Sequence, residues 1–195
     1  MNDKFRASYT ILNAWASGNW EQAIKYYFKL EQFTTQEMYA GREMHKEWAD
    51  FINEHKRLPD VFGGAELKNP VAEQKIVVQM EPWLELVFIA DCIDSPDLHE
   101  FKSGKTNSEV YAGSWQTGIY AVGATMAGHL VERAVIHHYD QYMKKSDTSY
   151  RWITDRLLED AYNYVITVAS EMHNYFIVNG LYRQYGANLQ KTINE

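Results

Sequence analysis

The chain has 195 residues, 46 % of them hydrophobic and 14 % aromatic, which suits one folded domain with a substantial core and excludes a disordered chain. A net charge of −7, from 19 basic and 26 acidic residues, counts against a protein that coats nucleic acid non-specifically. A single cysteine, Cys92, excludes a disulfide framework and any four-cysteine zinc or iron–sulfur site within the chain.

That cysteine usage fits a reducing, intracellular setting. The opening Met1-Asn2-Asp3-Lys4-Phe5-Arg6 lacks the apolar core of a signal peptide, and no stretch approaches the ~20 apolar residues of a membrane span. The expectation is a cytoplasmic protein without membrane contact.

Ser8 can cap a helix to about Ser17, with Ile11, Leu12 and Trp15 on one side; Gly18-Asn19 interrupts it, and a second helix runs from about Trp20 to Leu30. The aromatic residues here, Trp15, Trp20, Tyr26, Tyr27, Phe28 and Phe33, read as packing between two helices, or else as a lid or a surface on which bases stack. Thr34-Thr35-Gln36-Glu37 is a capping-box pattern that starts a helix to about Asn53. Gly41, His45, Trp48 and Ile52 fall on one stripe of it, so His45 points toward the body of the protein and Gly41 would let a neighbour approach closely. Taken alone, such a histidine is more often a hydrogen-bonded core residue than a ligand.

Residues 56–72, with Gly63-Gly64 and two prolines, read as a connection. Glu73–Met80, Trp83–Ile93 and Leu98–Lys102 read as three strands of an antiparallel meander with short turns. A helix is expected from Thr106-Asn107-Ser108-Glu109 to about Val131, a strand over Glu132–Tyr142, and an edge strand over Thr148–Ile153. Thr154-Asp155 caps a long helix to about Asn179, ended by Gly180, and the tail after Gly186 is expected to fray. No repeat, low-complexity segment or second domain is evident, so residues 1–195 are read as one domain.

The chemistry concentrates in Asp91-Cys92-Ile93-Asp94-Ser95-Pro96-Asp97-Leu98-His99-Glu100-Phe101-Lys102. Ser95-Pro96-Asp97 is turn chemistry, and Glu100 and Lys102, two apart on a strand, project from one face. Acidic groups beside a lysine at the end of an apolar strand are costly to hold together unless a cation or a substrate uses them. Carboxylates on adjacent strands can bind Mg²⁺ or Mn²⁺, which lowers the pKa of bound water and neutralises charge on a phosphate. A lysine beside them can orient or deprotonate that water, or stabilise the transition state. The spelling Glu-x-Lys proves little by itself, since it recurs at Glu54-His55-Lys56, Glu66-Leu67-Lys68 and Glu73-Gln74-Lys75. The Glu73 copy even follows Pro59-Asp60, but Asp60 lies in a Gly-rich connection. Only the Glu100 copy has a long apolar strand and an Asp just before it.

On these residues the chain resembles the PD-(D/E)XK nuclease superfamily, in its RecB-type branch of CRISPR-associated and phage exonucleases. Gly41-Arg42-Glu43-Met44-His45 resembles the branch's Gly-x-x-x-His, Glu100-Phe101-Lys102 its acid-x-Lys followed by a Thr-Gly-Lys-like turn at Ser103-Gly104-Lys105, and Gln116-Thr117-Gly118-Ile119-Tyr120 its Gln-x-x-x-Tyr. Ser8-Tyr9-Thr10-Ile11-Leu12 with Trp15 resembles the family's N-terminal helix start, and the likeness spans residues 8 to 145.

The resemblance implies an α/β, restriction-endonuclease-like core, a central mixed β-sheet flanked by helices in the order α-β-β-β-α-β. It implies a metal-dependent DNA nuclease, an exonuclease or end-processing enzyme of repair, recombination, phage or CRISPR-related DNA metabolism. The alternative is a catalytically silent DNA-binding or assembly module of the same fold. His45, Asp91 and Glu100 would hold Mg²⁺ or Mn²⁺, with Asp94 as the alternative to Asp91; Lys102 would act on the water; Gln116 and Tyr120 would contact substrate and support the Lys102 region. A two- or four-residue turn would place Asp91 on the face of Glu100 and Lys102, a three-residue turn Asp94. The cysteines of an iron–sulfur cluster are absent, so none is expected. A motor would be a separate chain: a helicase, or a recombination or CRISPR-adaptation protein. Lys105, Lys144, Lys145, Arg151 and Arg156 could line a DNA groove.

Overall fold

Phe5–Ala7 (β1) lies parallel to the strand Leu84–Asp94 (β3), with Phe5 opposite Leu84 and Ala7 opposite Leu86. The computed structural model describes residues 4–30 and 35–190. Three residues at the start of a chain carry too short a pattern to read as a strand, so β1 is visible only through its partner. Helices Tyr9–Ala16 (α1), Trp20–Tyr27 (α2) and Gln36–His55 (α3) follow. Ser8 stands at the start of α1 in extended backbone but does not cap it with its hydroxyl. Thr35 does cap α3, its Oγ1 accepting the Met38 N–H at 3.2 Å. Thr34, and the Glu37 half of the expected capping box, lie outside the described residues.

The strands after α3 are Val71–Glu81 (β2), β3 and Asp97–Ser103 (β4). The single helix expected over 106–131 is two, Ser108–Ala112 (α4) and Trp115–Met126 (α5). The break falls at Gly113-Ser114, where Ser114 takes extended backbone and restarts the chain as an N-cap residue. Arg133–Asp140 (β5) and Lys145–Trp152 (β6) complete the sheet, and Asp155–Val178 (α6) and Leu181–Gln190 (α7) close the described chain. Thr154 caps α6 through Oγ1, which accepts from Leu157 N at 3.2 Å, and Gly180 ends it at φ +67°. The tail expected to fray after Gly186 is helical in α7 as far as Gln190, and residues 191–195 lie outside the described residues.

The six strands form one mixed sheet in the order β1-β3-β4-β5-β6, with β2 also paired to β3. β3–β4 and β5–β6 are antiparallel, and β4–β5 is parallel, bridged by α4 and α5. The order α3-β2-β3-β4-α4/α5-β5 is the one implied above.

Contacts divide the chain into two units, and β2, β3 and α6 each run from one into the other. In the first, Phe5 stacks on Tyr27 at 4.7 Å between ring centroids, Phe28 lies 5.1 Å from Phe176, and Trp15 meets Tyr175 edge-on at 5.2 Å. Phe5, Trp15, Tyr27, Phe28 and Phe176 are all buried, so these rings are core and not a lid. In the second unit, Trp48, Ala49, Ile52, Leu58, Phe62, Cys92 and Phe101 form the core beneath α3. Burying a ring such as Phe101 contributes about 1.5–3 kcal/mol, which fixes β4 against that helix. Among the described residues no helix is long and apolar enough to cross a membrane.

Candidate active site

The β3–β4 turn has two residues: Asp94 opposes Asp97, Ile93 opposes Leu98 and Cys92 opposes His99. The Ser95–Pro96 peptide is cis. Directly opposed residues share a face, and neighbours alternate. Cys92 and His99 therefore share one face, and Asp91 and Glu100 the other. Lys102, two beyond Glu100, joins them. Asp94 is spent elsewhere: its carboxylate accepts the backbone N–H of Lys68 at 3.0 Å and of Asn69 at 2.7 Å, pinning the connection between α3 and β2.

Asp91 accepts the Phe101 N–H through Oδ2 at 2.7 Å, and its Oδ1 lies 3.7 Å from His45 Nδ1. The ladder between β3 and β4 thus gives way to a side-chain bond at the site. α3 presents His45 with its ring 5.4 Å from that of Trp48, one turn on. Burial lowers the His45 pKa, but the hydrogen bond and charge of Asp91 outweigh it, and the net direction is up. Gly41 approaches Ser103, but a Cβ built there would meet its Oγ at an ordinary 3.5 Å, so the contact is less tight than its place on the stripe predicts.

Glu100 is buried, and its Oε1 accepts from Lys102 Nζ at 2.5 Å and from Gln116 Nε2 at 2.6 Å. Burial pushes the Glu100 carboxyl up to about 7; the Asp91 carboxylate adds to the rise and the Lys102 ammonium opposes it. For Lys102, burial favours the neutral amine, but the Glu100 and Asp91 carboxylates outweigh burial and raise the pKa. The ammonium also lies 5.6 Å from the centroid of Tyr111 on α4. Gln116, at the start of α5, therefore meets Glu100. Tyr120, one turn later, stacks on Phe88 with centroids 4.7 Å apart.

Two groups enter that the sequence reading did not assign. Tyr111 on α4 lies with its ring under the Lys102 ammonium. Glu73, set aside as a decoy, takes a positive φ of 55° on β2. Its carboxyl is raised by burial and then by Asp91, with His45 opposing. Nothing in its local sequence distinguishes it from the other copies. Asp60, its partner in the decoy, is salt-bridged to Arg57 at 2.6 Å. Cys92 is buried, and its thiol is pushed up to about 12, first by burial and then by Asp94 and Asp91, so it is no nucleophile.

The donors suit a hard cation: two carboxylates, close enough for one to raise the other's pKa, and an imidazole. Among the described residues, however, no three His, Cys, Asp or Glu side chains are gathered tightly enough to enclose an ion. The positive charge that Glu100 meets is the Lys102 ammonium. Of the basic residues named for a groove, Arg151 is used internally, donating to the carbonyls of Ala112 and Ser114 at 2.9 and 2.8 Å, and Arg156 lies 3.7 Å from Asp160 along α6. Lys105, Lys144 and Lys145 are exposed.

Solved structures share this architecture. An inferred exonuclease from Eubacterium rectale aligns over 92 % of this chain and 82 % of its own, with a TM-score of 0.58 and 11 % identity. The alkaline exonuclease LHK-Exo from Laribacter hongkongensis aligns over 94 % of both chains, with a TM-score of 0.53 and 13 % identity. Its complex with dAMP aligns over 94 % of both chains, with a TM-score of 0.52 and 12 % identity. No protein-family model matches the chain, and no curated protein matches it. The chain shares the fold of these exonucleases, a mixed six-stranded sheet flanked by helices.

Proposed function

We propose that the protein is a metal-dependent deoxyribonuclease of the RecB type, an exonuclease or DNA-end-processing enzyme acting as a single domain. The observation that carries this reading is the buried Glu100 carboxylate shared by Lys102 and Gln116, with Asp91 and His45 beside it. A fold shared with exonucleases, one of them solved with dAMP, supports DNA as the substrate.

Asp91, Glu100 and His45 are the residues that would hold Mg²⁺ or Mn²⁺. A bound ion of this kind acidifies water and neutralises charge on a phosphate. Lys102, charged beside the Glu100 and Asp91 carboxylates, would orient the attacking water and stabilise the charge that builds on the phosphate. Hydrolysis forms one O–P bond, breaks the P–O bond to the adjoining sugar, and delivers a proton to the leaving oxygen. The Glu100 and Asp91 carboxylates keep Lys102 charged against its burial, so the ammonium is held where charge develops. Gln116 fixes the rotation of Glu100 by donating to one oxygen, and serves the substrate side through it. Tyr120 supports that side from its stack on Phe88.

The test is hydrolysis of end-labelled linear duplex and single-stranded DNA with Mg²⁺ or Mn²⁺, by the wild-type protein and Lys102→Ala. Wild-type cleavage lost in the variant is expected. Equal cleavage by both would remove Lys102 from the mechanism. Binding without wild-type cleavage would favour a silent DNA-binding module.

A further inference from the structure

The hairpin between β5 and β6 ends in four turn residues, Gln141 to Lys144, and two of them are large and exposed: Tyr142 at 72 % and Met143 at 63 %. The two side chains stand next to each other in water, where a partner can reach them. The tip is nevertheless well built. The Asp140 carboxylate accepts both the Tyr142 and the Met143 N–H, at 2.8 and 3.0 Å. Lys105 Nζ lies 5.3 Å from the Tyr142 ring centroid.

Lys105 belongs to the turn that leaves Lys102, and both backbone groups of Gly104 between them are held by β5. The Gly104 N–H donates to the Tyr139 carbonyl at 3.3 Å, and the Gly104 carbonyl accepts from His138 Nε2 at 2.9 Å. His138 in turn bonds Asp147 through Nδ1 at 2.6 Å. The tip is therefore coupled to the Lys102 strand by fixed contacts.

We infer that the β5–β6 tip is a platform for single-stranded DNA at the margin of the active site, with Tyr142 stacking a base and Lys105, Lys144 and Lys145 on the flanking phosphates. The inference rests on the nuclease reading for its substrate. Charge selects the occupant. Three exposed ammonium groups cluster at the tip of a chain whose net charge is −7. The nearby carboxylates are already engaged, Asp140 by the turn amides and Asp147 by His138 and the Ser108 N–H. An exposed ring with one ammonium against it and two more beside it matches how proteins hold single strands without reading sequence, by stacking on a base face while cations track the backbone.

The experiment measures binding of a fluorescein-labelled oligodeoxythymidylate by anisotropy in EDTA, which withholds the divalent ion and prevents hydrolysis. Wild type is compared with Tyr142→Ala, Tyr142→Phe and the Lys144→Gln/Lys145→Gln double variant, each checked for native circular dichroism. Tyr142→Ala should weaken binding about tenfold and Tyr142→Phe by less than about twofold. The double variant should flatten the slope of log affinity against log salt by about 1.4, or about 0.7 per lysine. No binding by wild type, an unchanged affinity in Tyr142→Ala, or an unchanged salt slope overturns the platform. DNA cleavage by wild type with unchanged affinity in Tyr142→Ala leaves the nuclease reading standing without it. Loss of binding in Tyr142→Ala without any cleavage by wild type keeps the platform and overturns the nuclease.

Discussion

His137 sits on β5, opposite Phe101 on β4, and gives the protein a calculable sensitivity to acid. It is buried, its Nε2 lies 3.0 Å from His99 Nδ1, and its ring stacks 5.2 Å from Phe101. Burial, followed by the repulsion of His99, pushes its pKa from 6.5 down to about 3. In the unfolded chain it returns to its ordinary value. Between about 6.5 and 3 the unfolded chain therefore binds a proton that the folded chain does not. The stability tied to neutral His137 is complete above 6.5 and is lost as pH falls. At pH 5 the unfolded group is almost fully charged and the folded one almost fully neutral, so the loss relative to pH 7.5 is about 2 kcal/mol. The perturbation is His137→Phe, which keeps the ring and removes the titration. Urea unfolding followed by tryptophan fluorescence at pH 7.5, 6 and 5 (round values spanning the limb) gives the stability of each protein. The wild type should lose about 2 kcal/mol more than the variant across this range. Parallel losses in the two proteins would refute the reasoning. So would a wild type whose stability rises on acidification. Because Phe101 lies between Glu100 and Lys102, the site should fail on the same acid limb as the fold.

The two aspartates should separate by assay. Asp94→Ala removes the acceptor for two backbone N–H groups and should cost about 1–3 kcal/mol in urea while Mn²⁺ affinity stays near wild type. Asp91→Asn should lower Mn²⁺ affinity, measured calorimetrically, and the reverse pattern would exchange their roles. At Gly118 an added Cβ would meet Ala161 Cβ at 3.1 Å and Leu157 Cδ1 at 3.3 Å. Gly118→Val should therefore cost about 1–3 kcal/mol by overpacking α5 on the start of α6. Gly118→Ala should lie near wild type, since about 1 kcal/mol of helix propensity offsets the strain, and a valine variant as stable as wild type would refute the contact.

Periodicity and caps made most elements legible. The 3.6-residue stripe through Gly41, His45, Trp48 and Ile52 and the apolar runs of β3 and β5 are local signals, and α3, β3 and β5 stand where they point. Signals failed where the deciding partner is remote. β1 is three residues long and exists because Leu84–Leu86 pair with it. The Gly113-Ser114 break is invisible in a composition that reads as continuous helix.

The candidate site divides in the same way. The sequence alone determined which residue types are present at which spacing, and hence that Glu100 and Lys102 share a face, because alternation along a strand is a property of the backbone. It left open which aspartate stands with them, because that depends on how many residues the Ser95-Pro96 turn consumes. Only the tertiary structure decided it: a two-residue turn brings Asp91 to Glu100 and frees Asp94 to tie down Lys68 and Asn69. Tertiary packing also sent Gln116 to Glu100 and brought Glu73 and Tyr111 into the field of the site. Those contacts join residues far apart in the chain, and no periodicity encodes a distance between elements.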